Sequence, residues 1–252
     1  MKILLISGHG TGDPGACATI DGKQYREADL TIEVVDMLAP LLDAYGARVF
    51  TYDKARDAYQ DSKAGTLAQR AQFQNFDYVL EIHFNACVQD YKGNGVTTGT
   101  EIYWPSRGST SGAEGAILRH VCAQGFRNRG SRSMALAVIN TAARAGTKAN
   151  LLEVCFIDDA DDMRLYNAKK QKIAQAIADG VAEAFGLTKT TSEEDDDMVR
   201  YNKVSELPKW ARADIQKLID LGHLKGKDGG DLDLTEDMAR TLIICGRMQG
   251  VL

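Results

Sequence analysis

Over residues 1–187, apolar strand-like runs alternate with segments of helical spacing, and that alternation leaves few folds open. Lys2–Ser7 is short and almost wholly apolar, as a strand covered on both faces must be. Asp29–Tyr45 carries Leu30, Val34, Leu38, Leu41 and Leu42 at helical intervals, and Gly46 follows as a stop. Further strands are predicted at Ala47–Tyr52, Tyr78–Phe84, Gly99–Trp104 and Ala149–Phe156. Helices are predicted at Leu67–Asn75, Gly112–Phe126 and Ala160–Phe185, the last closed by Gly186. Such a succession folds as an α/β domain, a mixed, mostly parallel sheet flanked by helices. In sheets of this kind ligands lie beyond the carboxyl ends of the strands.

The pattern breaks at 188–198, Thr-Lys-Thr-Thr-Ser-Glu-Glu-Asp-Asp-Asp-Met. Almost nothing there is apolar and five acids run together, so burial cannot offset the entropy of ordering it, and a linker is expected. Periodicity resumes over 199–252. Trp210–Leu221 places Ile215, Leu218 and Ile219 on one face. Thr235 reads as the N-cap of a second helix bearing Met238, Leu242 and Cys245. A small, mainly helical C-terminal domain is expected. At about 54 residues it is marginal as a lone fold, so it is expected to pair with itself in a homo-oligomer or to lean on the first domain. Met198, after the acidic run, is a candidate internal start.

The formal net charge is −5. That gives no basic footprint for nucleic acid. No run approaches the roughly 18 apolar residues of a membrane span, and Ile3–Ile6 is too short for a signal-peptide core. A chain made in the cytoplasm without membrane insertion is expected. The five cysteines, Cys17, Cys87, Cys122, Cys155 and Cys245, are odd in number and contain no C-x-x-C pair, which favours free thiols over disulfides or a cysteine zinc site.

Chemistry concentrates at three strand ends. Gly8-His9-Gly10-Thr11-Gly12-Asp13-Pro14-Gly15-Ala16 is a tight loop after the first strand, and it lacks the lysine of a phosphate loop. In Glu81-Ile82-His83-Phe84-Asn85 alternation puts three polar residues on one face, either as a hydrogen-bonded core network or as a metal ligand with polar neighbours. In Leu151-Leu152-Glu153-Val154-Cys155-Phe156 a carboxylate sits in an apolar strand. That is costly unless it is paired or used, and burial would raise its pKa toward general acid–base work. Glu27, before the first long helix, is unremarkable by itself, since an acid there complements the helix dipole. Two histidines and a carboxylate would leave zinc an open position for hydrolysis. No G-x-S-x-G occurs, and Cys155 has no activating His nearby in sequence.

Taken in order, Gly8–Ala16, Glu27 within Arg26–Leu30, Ile82–Ala86 and Leu151–Phe156 resemble the zinc N-acetylmuramoyl-L-alanine amidases of the type 3 group. Leu67–Arg70, the Gly99–Tyr103 strand and Arg129-Gly130 before Leu136–Val138 agree with them. The resemblance implies Zn2+ on His9, Glu27 and His83, with Glu153 as catalytic acid–base. The implied substrate is the amide joining N-acetylmuramic acid to L-alanine in peptidoglycan. With the small appended domain, for which wall binding and self-association are both open, it implies a phage endolysin that acts on the wall after release. Glu81 departs from the family pattern. It is expected either to accept a hydrogen bond from a ligand histidine or to compete as a ligand; Asn85 is a candidate to support a metal ligand or to touch the substrate. His120 and His223 read as surface or packing residues, and Tyr103 and Trp104 as core or the lining of a glycan groove. The competing readings are a zinc peptidase of the stem peptide and a noncatalytic wall-binding protein on the same scaffold.

Overall fold

The computed structural model describes all residues except 11, 190–198, 228–230 and 249; the expected acidic linker therefore lies almost wholly outside the described residues. The chain divides into two compact units, Met1–Thr190 and Thr191–Leu252.

In chain order the first unit holds β1 (Lys2–Ser7), β2 (Cys17–Ile20), β3 (Lys23–Arg26), α1 (Glu27–Ala44), β4 (Arg48–Thr51), α2 (Ala58–Lys63), α3 (Leu67–Ala71), β5 (Tyr78–Asn85), β6 (Thr100–Pro105), α4 (Glu114–Cys122), β7 (Asn128–Met134), α5 (Ala137–Arg144), β8 (Lys148–Phe156) and α6 (Ala160–Phe185). Six strands form one sheet in the order β4-β1-β5-β8-β6-β7, and β2 pairs with β3 as a separate hairpin. Only the β6–β8 pairing is antiparallel in the large sheet.

The apolar runs are explained by two helical layers. Leu80, Ile82 and Phe84 pack with α1, α4 and α6; Leu4, Ile6, Val79 and Leu151 face α2, α3 and α5. On this second face each strand changes character along its length. β5 runs Val79, Glu81, His83 and β8 runs Leu151, Glu153, so the apolar residues lie under the helices and the polar ones near the carboxyl ends. β6 is antiparallel, and there the order reverses: Glu101 precedes Tyr103. The register aligns His83 with Glu153 and Glu153 with Glu101.

The structure corrects several boundaries. The helix expected over Leu67–Asn75 ends at Ala71, because Gln72 takes a left-handed conformation (φ 47°), and a 3-10 turn, Phe73–Asn75, follows. The helix expected over Gly112–Phe126 spans only Glu114–Cys122. The β2–β3 hairpin, α2, β7 and α5 went unforeseen. α2 is six residues capped by Asp57, whose Oδ1 accepts from Gln60 N at 3.1 Å, and β7 is polar and exposed almost throughout.

In the second unit α7 (Lys209–Asp220) and α8 (Glu236–Met248) bury Leu207, Ala211, Ile215, Leu218, Leu234, Ala239 and Ile243. Thr235 caps α8, its Oγ1 accepting from Met238 N at 3.2 Å. No helix among the described residues is long and apolar enough to cross a membrane. The five cysteines are unpaired.

Candidate active site

The glycine-rich loop after β1 is stitched to the start of α1. Glu27 N donates to Ala16 O (2.9 Å), Ala28 N to Pro14 O (3.1 Å) and Thr31 Oγ1 to Gly8 O (2.8 Å). These bonds satisfy two of the amides that a helix start leaves unpaired, and they fix Glu27 between the loop and the end of β5. Its buried carboxylate then faces both histidines. Oε1 lies 2.8 Å from His83 Nδ1 and accepts from Phe84 N (3.1 Å). Oε2 lies 3.1 Å from His9 Nε2 and accepts from Ala16 N (2.9 Å).

Each histidine is gripped on its other nitrogen by a second acid. His9 Nδ1 lies 3.1 Å from Asp13 Oδ2, and His83 Nε2 lies 3.2 Å from Glu81 Oε1. Carboxylates behind ligand imidazoles set ring orientation and raise ligand basicity. His9 itself stands at φ 63°, a left-handed conformation rare outside glycine, held here by its neighbours. Two glycines make the space. A Cβ on Gly8 would collide with the His83 ring, and one on Gly15 would sit 2.6 Å from His9 Cδ2 and 2.7 Å from Glu27 Oε2.

Glu153 faces the same place from β8. Oε2 of Glu153 and of Glu81 are both buried without a hydrogen-bond partner. Burial pushes the Glu153 carboxyl up to about 7; the His83 charge opposes this, and Glu27, Glu101 and Glu81 add to it. Burial alone would lower both histidines, but Glu27 with Asp13 at His9, and Glu27 with Glu81 at His83, raise them instead. Burial likewise works against ionised Glu27, yet His83 and His9 hold it well below the ordinary carboxylate range.

One donor atom from each of His9, Glu27 and His83 lies within 4.8 Å of the others. Asp13, Glu27, Glu81 and Glu153 therefore surround only two imidazoles. The orphaned carboxylate oxygens and the surplus of acid fit a cation, and the His/Glu/His donor set fits zinc.

The other sequence candidates fall elsewhere. The β5 register shifts between His83 and Asn85. Asn85 stays on the face of His83 and Glu153, but its partner there is Glu101, Nδ2 donating to Oε1 at 2.6 Å. His120 bonds Glu183 at 2.9 Å on the surface, His223 is exposed, and Tyr103 is buried. Asp13, within the Gly8–Ala16 loop, and Glu101, within the Gly99–Tyr103 strand, are functional neighbours to which the sequence motifs assign no role. Glu101 carries the same signal as Glu153, a charge in an apolar strand.

A family model described as N-acetylmuramoyl-L-alanine amidase matches residues 3–183. The sporulation-specific N-acetylmuramoyl-L-alanine amidase of Bacillus subtilis (strain 168) is 30% identical over 198 residues, covering 76% of this chain and 71% of that one. Among solved structures, the catalytic domain of CwlV, an N-acetylmuramoyl-L-alanine amidase from Bacillus (Paenibacillus) polymyxa var. colistinus, aligns with a TM-score of 0.59 at 24% identity, over 75% of this chain and 100% of that chain. The catalytic domain of CD27L endolysin, described as targeting Clostridia difficile, aligns with a TM-score of 0.56 at 24% identity, over 73% and 97%.

Proposed function

Given that the chain belongs to the N-acetylmuramoyl-L-alanine amidase family and is a hydrolase of that group, we propose that it cuts the amide between N-acetylmuramic acid and L-alanine in bacterial peptidoglycan as a zinc enzyme. His9, Glu27 and His83 would hold the ion. The observation that carries this reading is the convergence of His9 Nε2 and His83 Nδ1 on Glu27, with an acid behind each ring. Bound there, zinc supplies Lewis acidity, polarising an amide carbonyl and acidifying water.

The remaining work falls to the chain. Asp13 and Glu81 keep the two imidazoles aimed at one point. Glu153 accepts the proton of the attacking water at Oε2 and returns it to the leaving nitrogen of L-alanine; a pKa near 7 suits both directions of that transfer. The apolar walls of Val79 and Leu151 below the site exclude water from one side.

For the second unit we propose a noncatalytic role, in wall binding or self-association. Among its described residues no cluster of metal-binding side chains occurs. Its presence beside an amidase domain, together with the likeness to an endolysin catalytic domain, supports a phage lysin. Digestion of purified cell wall tests the chemistry. New amino groups should appear as N-terminal alanine, and chelation should abolish their release. Amino groups on other residues would point to a stem-peptide peptidase, and indifference to chelators would sink the zinc assignment.

A further inference from the structure

The row His83–Glu153 continues across the sheet into charge that the reaction above does not use. Glu101, opposite Glu153, is 1% exposed. Its Oε1 accepts from Asn85 (2.6 Å), and its Oε2 is shared by Arg132 Nη2 (2.6 Å) and Arg129 Nε (3.4 Å). Both arginines belong to β7, the edge strand. Arg129 lies over the Phe156 ring at 4.8 Å and Arg132 over the Tyr103 ring at 5.1 Å, where Arg132 also donates to the Tyr103 hydroxyl at 3.0 Å. An acid at one edge and an aromatic face against each ring plane hold the two guanidiniums in fixed orientations, so little freedom is lost on binding.

Neutralising Glu101 takes one guanidinium, and a carboxylate is fully served by one fork of donors. The second is surplus, and the cluster is left with one positive charge. The side chains of Arg129 and Arg132 are 31% and 51% exposed, so that charge is presented to solvent. It stands out in a chain of net charge −5, and it lies two strands beyond Glu153, across β6. Once its lactyl group is amidated, the sugar at the scissile bond carries no ionised group. An anion near the reacting amide must then come from the peptide.

We infer that Arg129 and Arg132 form a subsite for a free carboxylate on the peptide side of the scissile amide, so that the enzyme favours stem peptides with an acidic residue beyond L-alanine. This rests on the amidase reading. Glu101 is a positioning residue, setting the two guanidiniums at the level of Glu153.

The test compares two soluble muropeptides that differ only at that residue, one with a carboxylate and one with a carboxamide. The zinc-loaded full-length protein should show a kcat/KM ratio of about 10-fold to 100-fold in favour of the carboxylate, carried mainly by KM. Arg132→Gln should pull the ratio toward unity, Arg129→Gln should lower it, and Arg132→Lys should keep part of it. Because the readout is a ratio on one protein sample, partial misfolding cancels. Equal rates on both substrates in the wild type would overturn the inference, as would an Arg132→Gln variant that slows both alike. If the wild type cleaves neither, the amidase reading fails. Calorimetric binding of the two peptides, with and without Arg132, then decides the arginine subsite separately.

Discussion

Replacing Gly15 by alanine should dislodge two of the proposed ligands at once. Gly15 has φ 64°, and a Cβ there would lie 2.6 Å from His9 Cδ2, 2.7 Å from Glu27 Oε2 and 2.8 Å from Glu27 Cβ. Non-bonded carbons settle at about 3.5–4.0 Å, so the side chains must retreat by roughly 1 Å. The overlap costs about 1–3 kcal/mol and the left-handed backbone about 1–2 kcal/mol. Withdrawal of His9 and Glu27 is the cheapest relief, since the alternative is to break the bonds tying the loop to α1. Zinc affinity should drop at least about 10-fold, and kcat/KM on cell-wall substrate by about 100-fold, the usual toll of a 1 Å misplacement. Gly22→Ala is the control. It too is left-handed, at φ 78°, but its Cβ would meet nothing within 4 Å. That variant should lose only the backbone term, a fall of about 2–8 °C in Tm, and keep its zinc. Zinc content after dialysis against a competing chelator, alongside thermal unfolding, reads both effects. Equal zinc affinity in the two variants would refute the idea that Gly15 is there to make room for the ligands.

Glu153→Gln should cut turnover by about 100-fold to 10,000-fold while leaving zinc stoichiometry intact; a variant that loses its metal would make Glu153 a ligand instead. Asp13→Asn and Glu81→Gln should each weaken zinc binding about 10-fold to 100-fold without removing a ligand, read by chelator competition; unchanged affinity would show that the acids do not support the rings. Zinc affinity should fall with pH, because protons must leave both rings before the metal binds. His9 and His83 are raised above 6.5, so the loss should already be visible on going from pH 8 to 7, steepening toward about 100-fold per pH unit; a flat titration between pH 8 and 6 would contradict the raised values.

Much of this was legible in the chain itself. Local rules were enough where a residue's own neighbours decide its conformation. The apolar run of β1, the Gly186 stop of α6 and the Thr235 cap of α8 all follow from period and turn chemistry. So does the glycine-rich loop carrying His9, and Glu153 announces itself as a charge that an apolar strand cannot hold for nothing. Segments whose stability is borrowed from partners stayed hidden. β7, Asn-Arg-Gly-Ser-Arg-Ser-Met, has no apolar alternation and is a strand only because β6 offers it a ladder. The hairpin strands are four residues each, too short to display a period.

Which residues meet was a tertiary decision. Side-chain alternation put Glu81, His83 and Asn85 on one face, and Asn85 does reach Glu101 there, but that its partner is Glu101 and not a histidine follows from strand order and the register shift after His83. Glu27 carried no signal of its own and entered only through family likeness. The loop carbonyls of Pro14 and Ala16, by capping α1, place its carboxylate between two histidines 74 residues apart in sequence. Sequence thus determined the elements and the types of side chain at their ends, because those depend on short-range sterics and period. The shared point where His9, Glu27, His83 and Glu153 face one another depends on strand order and register, which are set by packing across the whole sheet and by no single segment.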